Sequence, residues 1–207
     1  AQADRRATPS RNPHGDRALT PAAPPWPGCY QVALSNTDLT KINQGAPRMR
    51  AYQIFGAMSA EHAEAFFREI AEKSPGSFTQ AVYAAAAAFK SRPKFVIKQP
   101  FANRASLVRR AMSRTGANDV AEEMLAIYFL ECKRDMLVEW LDTLGVQHEE
   151  GSLKEENPTE PDAETLQLTI KEFCGKDDDL DRVLLLKGFA AQNAINWPLL
   201  DAHIESL

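Results

Sequence analysis

From Ser59 onward, apolar residues return at every third or fourth position through most of the chain. That spacing places them on one face of an α-helix. The pattern is densest over residues 116–146. Val120, Met124, Ile127 and Tyr128 form one stripe, and Ala121, Leu125, Phe129 and Cys132 form a second beside it. Two adjoining stripes predict a helix packed on more than one neighbour. Beyond a charged turn at 131–135, Met136, Leu137, Trp140, Leu141 and Leu144 repeat the pattern, and Gly145 suits a left-handed helix end. Asn118 or Asp119 is expected to cap the first helix. Asp135, Glu139 and Asp142 fall on the face expected to be wet. This hairpin is taken as the element around which the others are built, with Trp140 and Leu141 in its core.

The same periodicity predicts further helices. Ser59 with His62 offers half a capping box before Ala63, Phe66, Phe67 and Ile70. Ser74-Pro75-Gly76 reads as a break, and a helix from Ser77 then carries Phe78, Val82, Ala85, Ala86 and Phe89 inward. Its alanines permit close helix approach. Residues 94–98 are a short apolar run, and Leu107, Val108 and Met112 mark a helix over 101–113. Residues 147–161 are acidic and broken by Gly151, Pro158 and Pro161, which predicts an exposed loop. Asp162 caps a helix through Leu166, Ile170 and Phe173. Another starts at Asp179 with Val183, Leu184, Leu186 and Phe189 inward. A last short helix has Pro198 in its first turn, docked by Leu199, Leu200, Ile204 and Leu207.

The N-terminal part differs. Residues 1–28 hold six prolines and almost no large apolar residue before Trp26, too little to offset the entropy of ordering. They are expected to be extended or disordered, with Trp26 anchoring the arm in a groove if it is ordered. Residues 29–34 suit one short strand, and 51–55 are apolar enough to dock on the core. The chain thus divides into an irregular arm, 1–55, and a helical domain, 56–207. The predicted fold class is all-α, an irregular bundle of antiparallel helix hairpins. A loose echo between 89–98 and 130–139 raises a short HEAT-like α-solenoid as the alternative, since such repeats run about 40–47 residues.

Composition sharpens the functional picture mainly through charge. The net charge is −4. Residues 1–114 carry seventeen Lys and Arg against seven Asp and Glu, a formal +10, while the remainder carries seven against 21, a formal −14. No carboxylate lies between Glu72 and Asp119. The candidate binding surface is therefore Lys90, Arg92, Lys94, Lys98, Arg104, Arg109, Arg110 and Arg114, with Trp26 from the arm. Three uses compete: neutralisation by the acidic half across an internal interface, contact with an acidic protein surface, or contact with a phosphate backbone through the basic 73–118 region. Of these, internal neutralisation carries the most weight and nucleic acid the least, because the acidic half repels a polyanion. Phe95 and Phe101, interleaved with the cations, fit the core equally well.

Candidate chemistry is sparse. Cys132 and Cys174 fall on apolar helical faces and read as buried free thiols, and no cysteine pair has zinc spacing. His148-Glu149-Glu150 is a possible ligand cluster that reads better as a solvated loop. His62 beside Glu61 and Glu64 reads as a local ion pair. No phosphate-binding loop, dinucleotide fingerprint or nucleophile elbow occurs. No apolar run approaches the roughly 20 residues of a membrane span. No catalytic residue, cofactor or metal is expected. The expected role is a non-catalytic protein–protein interaction module, an accessory subunit of a larger assembly that binds a protein partner or itself. The alternatives are an enzyme with a site assembled from scattered His, Glu and Cys, and a nucleic-acid-associated protein. A cytoplasmic location is expected, although a signal peptide already removed would leave no trace.

Overall fold

Helix periodicity becomes helix along the described chain. The computed structural model describes residues 48–176 and 179–204, with only the backbone described at Asp179. Trp26, the Pro-rich arm and residues 29–34 lie outside the described residues. Ten α-helices follow in order: α1 Ala51–Ala57, α2 Ala60–Lys73, α3 Pro75–Ala88, α4 Pro93–Val96, α5 Phe101–Met112, α6 Asn118–Ile127, α7 Arg134–Thr143, α8 Ala163–Cys174, α9 Asp179–Ala191 and α10 Pro198–Ile204. The only sheet among the described residues is a two-stranded hairpin, β1 His148–Glu149 with β2 Ser152–Leu153. The fold is an all-α bundle, as the pattern predicts.

Several local signals act as expected. The Ser59 hydroxyl accepts from the His62 N–H at 3.0 Å and starts α2. The Asp162 carboxylate does the same for α8, accepting from the Thr165 N–H at 3.0 Å and from its hydroxyl at 2.7 Å. At the end of α7 the Gly145 N–H bonds Asp142 O and the Val146 N–H bonds Leu141 O. This paired closure needs a left-handed residue, and Gly145 has φ +68°.

Other expectations fail for identifiable reasons. Neither Asn118 nor Asp119 caps α6. A 3-10 turn, Thr115–Ala117, leads into it, and the Asn118 amide instead donates to Glu122 at 2.6 Å. Helix α3 starts at Pro75, two residues before Ser77, because a proline at the first helical position gives up no helical N–H. The boundary drawn at 55/56 cuts through α1, whose Ala51, Ile54 and Phe55 are buried. The segment at 147–161 is no free loop. Its hairpin turns at Glu150 and Gly151, both with positive φ, as a tight two-residue turn requires. Further along it, Pro158 O accepts from the Trp197 indole at 2.7 Å, and Glu160 accepts from the N–H groups of Leu199 and Leu200, capping α10 from a distance. Leu199 itself is exposed.

Packing is led by two groups of rings. Phe55, Phe66, Phe67 and Phe78 form one aromatic group on α1, α2 and α3, and Trp140, Phe173, Phe189 and Trp197 form another on α7, α8, α9 and the residue before α10. Tyr128 and Phe129 extend the first group toward α9: Tyr128 lies 4.2 Å from Phe66 by ring centroids, and Gly188 of α9 lets Phe129 approach its backbone. Helix α9 is apolar nearly all round, with Leu184, Leu185, Leu186, Phe189, Ala190 and Ala191 buried, the composition of a helix enclosed by others. It touches α1, α6, α8 and α10. A contact between α1 and α9, so far apart in sequence, does not belong to a solenoid, where each repeat meets only its neighbours. The echo at 89–98 and 130–139 has no structural counterpart either: the first segment contains a one-turn helix, the second a wide turn and the start of α7.

Candidate functional site

Two breaks between helices gather the charged residues. The first is the hinge of the central hairpin. Here α6 widens into a π-turn, Tyr128–Cys132, closed by the Lys133 N–H bonding Tyr128 O at 3.1 Å. The extra residue per turn lets both Tyr128 and Phe129 face inward, 1% and 5% exposed. Such turns are frequent at functional sites.

Around the Tyr128 hydroxyl the sequence-distant charges converge. Lys133 Nζ lies 3.0 Å from Glu69 and 2.9 Å from Asp181. The Tyr128 hydroxyl donates to Asp181 at 3.1 Å, and His62 Nε2 stands 3.5 Å from the same carboxylate. His62 thus faces α9 and not the adjacent Glu61 and Glu64. Burial alone would raise the Asp181 carboxyl, but His62, Lys133 and Tyr128 bring it down to about 2. Burial would lower Lys133, and its two carboxylate partners more than offset that. Burial, reinforced by Asp181 and Glu69, pushes the Tyr128 phenol up. Burial also drives the Cys132 thiol up to about 11, away from the thiolate a nucleophile needs.

A cleft of about 500 Å³ opens beside this hinge, lined by Cys132 and Met136 among charged groups from Lys73, Lys133, Arg134, Glu139 and Arg182. Four of these charges are held in ion pairs: Lys133 by Glu69 and Asp181, Arg134 by Glu150, and Glu139 by Arg182. Glu139, placed on the wet face by its spacing, accepts from Lys176 at 2.6 Å and from Arg182 at 3.2 Å, and the Lys176 bond leads in holding its carboxyl low. His148 does not line the cleft. It is a hairpin strut: its Nδ1 accepts from the Gly151 N–H at 3.2 Å, which leaves Nε2–H to donate to Asp142 at 3.0 Å. Among the described residues no group of three His, Cys, Asp or Glu side chains is placed to hold a metal ion.

The second break is the tip between α3 and α4, continuing into α5. The candidate cations divide into two sets there. On α5, Arg104 lies over the rings of Phe78 and Phe101, at 5.6 and 5.4 Å, and Arg109 donates to Met58 O at 2.7 Å. Arg110 and Arg114 lie over Phe89, and Arg114 also donates to Ala88 O. These four serve the packing of their own neighbourhood. Lys90, Arg92, Lys94 and Lys98 are exposed around the tip, in none of the ion pairs among the described residues. Arg104, Arg109, Arg110 and Arg114 are likewise in none of the ion pairs among the described residues. Phe95, in the middle of the tip, is 66% exposed and not in the core. One turn of helix explains this: α4 is too short to turn both Phe95 and Val96 inward, and Val96 takes the buried place.

Comparison with protein-family models, with curated proteins and with solved structures finds no match. Among the described residues no helix is long and apolar enough to cross a membrane. Sequence spacing misses the hinge network entirely, since Glu69, Lys133 and Asp181 come from three separate elements.

Proposed function

We propose that this chain is a non-catalytic helical interaction module, an accessory subunit that docks an acidic surface of another protein on the α3–α4 tip. One observation carries the reading: an aromatic ring 66% exposed stands among four exposed cations, Lys90, Arg92, Lys94 and Lys98, that are in no ion pair among the described residues. A ring left in water gains from burial on association, and surrounding charges steer the partner and fix its register. The hinge favours no catalytic alternative, because Glu69 and Asp181 are paired with Lys133 and the Cys132 thiol is pushed upward. Nucleic acid is the weaker partner, since the sequence pI of about 5.6 is far below the basic balance usual for such proteins.

The test is affinity capture from nuclease-treated lysate with the full chain, its Phe95→Ala variant and the quadruple reversal K90E/R92E/K94E/K98E. A protein species should be retained by the parent, released by salt and reduced by about tenfold or more in both variants, the range of a central interface anchor. Equal retention by all three chains defeats the reading. Retention that vanishes with nuclease transfers the tip to nucleic acid.

A further inference from the structure

We infer that the docking element of the partner is an α-helix laid along the outer face of α3, its carboxylates over the tip cations, an assignment that holds only if the tip is the docking surface proposed above.

Helix α3, PGSFTQAVYAAAAA, has no charged residue in its fourteen positions. Its inner face, Phe78, Ala81, Val82, Ala85 and Ala86, is buried and packs on α2 and α5. The opposite face carries Gly76, Thr79, Gln80, Tyr83, Ala84 and Ala87, all exposed. A solvated helix face ordinarily bears charge. Here the exposed side chains are small or neutral, apart from Tyr83, which leaves 45% of its surface in water. Small side chains allow two helix axes to approach toward the lower end of the usual spacing of about 8–10 Å. Fourteen residues present a face about 21 Å long at about 1.5 Å per residue, enough for some four turns of a partner helix. Among the described residues no strand edge adjoins this face, so a helix is the element that fits it.

Charge decides the occupant. The face runs directly into Lys90, Arg92, Lys94 and Lys98, so what covers it must bring carboxylates to one end. The N-terminal segment of the same chain does not: residues 1–47 hold five Lys and Arg and three Asp and no Glu, a formal +2. A symmetric contact between two α3 helices would leave the cations of both copies unmatched. A partner helix with an apolar stripe and an acidic end satisfies the neutral face, Phe95 and the cations together.

The experiment places p-benzoylphenylalanine at Tyr83 or Ala87 of the full chain, irradiates it in native lysate and sequences the cross-linked peptide. The expected adduct is a segment of another protein with apolar residues at three- and four-residue spacing and Asp or Glu concentrated at one end. Its yield should fall about tenfold in the K94E/K98E background or at about 0.5 M salt, where exposed charges are screened. An adduct with a second copy of this chain, with nucleic acid, or with an extended Pro-rich segment overturns the helix assignment. A third probe at Phe95 separates the two claims. Cross-linking from Phe95 but not from Tyr83 or Ala87 removes the helix and keeps the tip as a docking surface. Silence at all three positions removes both.

Discussion

The π-turn hinge and the α3–α4 tip each collect positive charge at a break between helices, and they dispose of it in opposite ways. Lys133 at the hinge is held by Glu69 and Asp181 within 3.0 Å, beside the Tyr128 hydroxyl that also reaches Asp181. Lys94 and Lys98 at the tip are exposed and in no ion pair among the described residues. The hinge joins α2, the hairpin and α9, so its pairing serves the fold. The tip joins a neutral edge helix to a single helical turn, so its charges hold nothing together locally. The well-paired cluster therefore marks architecture in this molecule, and the proposed docking surface draws on the cluster that is in no ion pair among the described residues.

The comparison is broken most forcefully by removing what the hinge supports. Trp140, fully buried between Phe173 and Phe189, should cost about 3–5 kcal/mol when replaced by alanine, measured by urea unfolding. A midpoint unchanged by that substitution would deny the hairpin its place in the core. Asp181→Asn comes next, at about 2–3 kcal/mol, since it leaves Lys133 and Tyr128 with weakened partners while Glu69 still holds the lysine. Its pH dependence has a definite sign. The folded carboxyl sits at about 2, below its ordinary value of 3.8, so its contribution is complete above that value and disappears as pH falls through about 2. The stability gap between parent and Asp181→Asn should thus narrow steadily below pH of about 4; a gap independent of pH would show that the pairing is not what the carboxylate contributes.

Smaller effects test the joints between the two halves of the core. A methyl group added at Gly188 would stand 3.0 Å from the Phe129 ring, and Gly188→Ala should cost about 1–3 kcal/mol through overpacking, read as a lowered thermal midpoint. Gly151→Ala meets Leu137 at 2.9 Å in a backbone with φ +92° and should cost about 1–2 kcal/mol from the conformational strain alone. At the tip the expectation reverses: Phe95→Ala and the quadruple charge reversal should change stability by no more than about 0.5 kcal/mol, while partner capture collapses. A tip variant as destabilising as Asp181→Asn would end the contrast between the two clusters.

Local order was legible in the sequence because it depends on near neighbours. Ser59, Asp162 and Gly145 announce helix ends through groups within four residues, and the stripe Phe66, Phe67 and Ile70 announces the core of α2. What depended on distant partners was not. The Glu160 carboxylate caps a helix almost forty residues away, and nothing in the acidic segment around it distinguishes that role from solvation. Helix α9 looked like one amphipathic helix among several, yet it packs against α1, α6, α8 and α10 together. Spacing gave the eight cations of the basic region as one set, because a run without carboxylates does not reveal which arginines will lie over Phe78, Phe89 and Phe101. Phe95 was left open between core and surface for a related reason: in a one-turn helix, periodicity has too few positions to choose an inner face.

The two described tryptophans also make the molecule its own optical instrument. The Trp197 indole N–H is bound to Pro158 O, whereas the Trp140 indole N–H is buried with no hydrogen-bond partner among the described residues. An indole without a polar neighbour emits at shorter wavelength than one with a hydrogen-bonded N–H, so the two rings should contribute separable bands. Trp197 reports whether the 147–161 segment remains docked on α10, and Trp140 whether the bundle itself is closed. Single-tryptophan versions of the chain would follow those two events in real time without any added label.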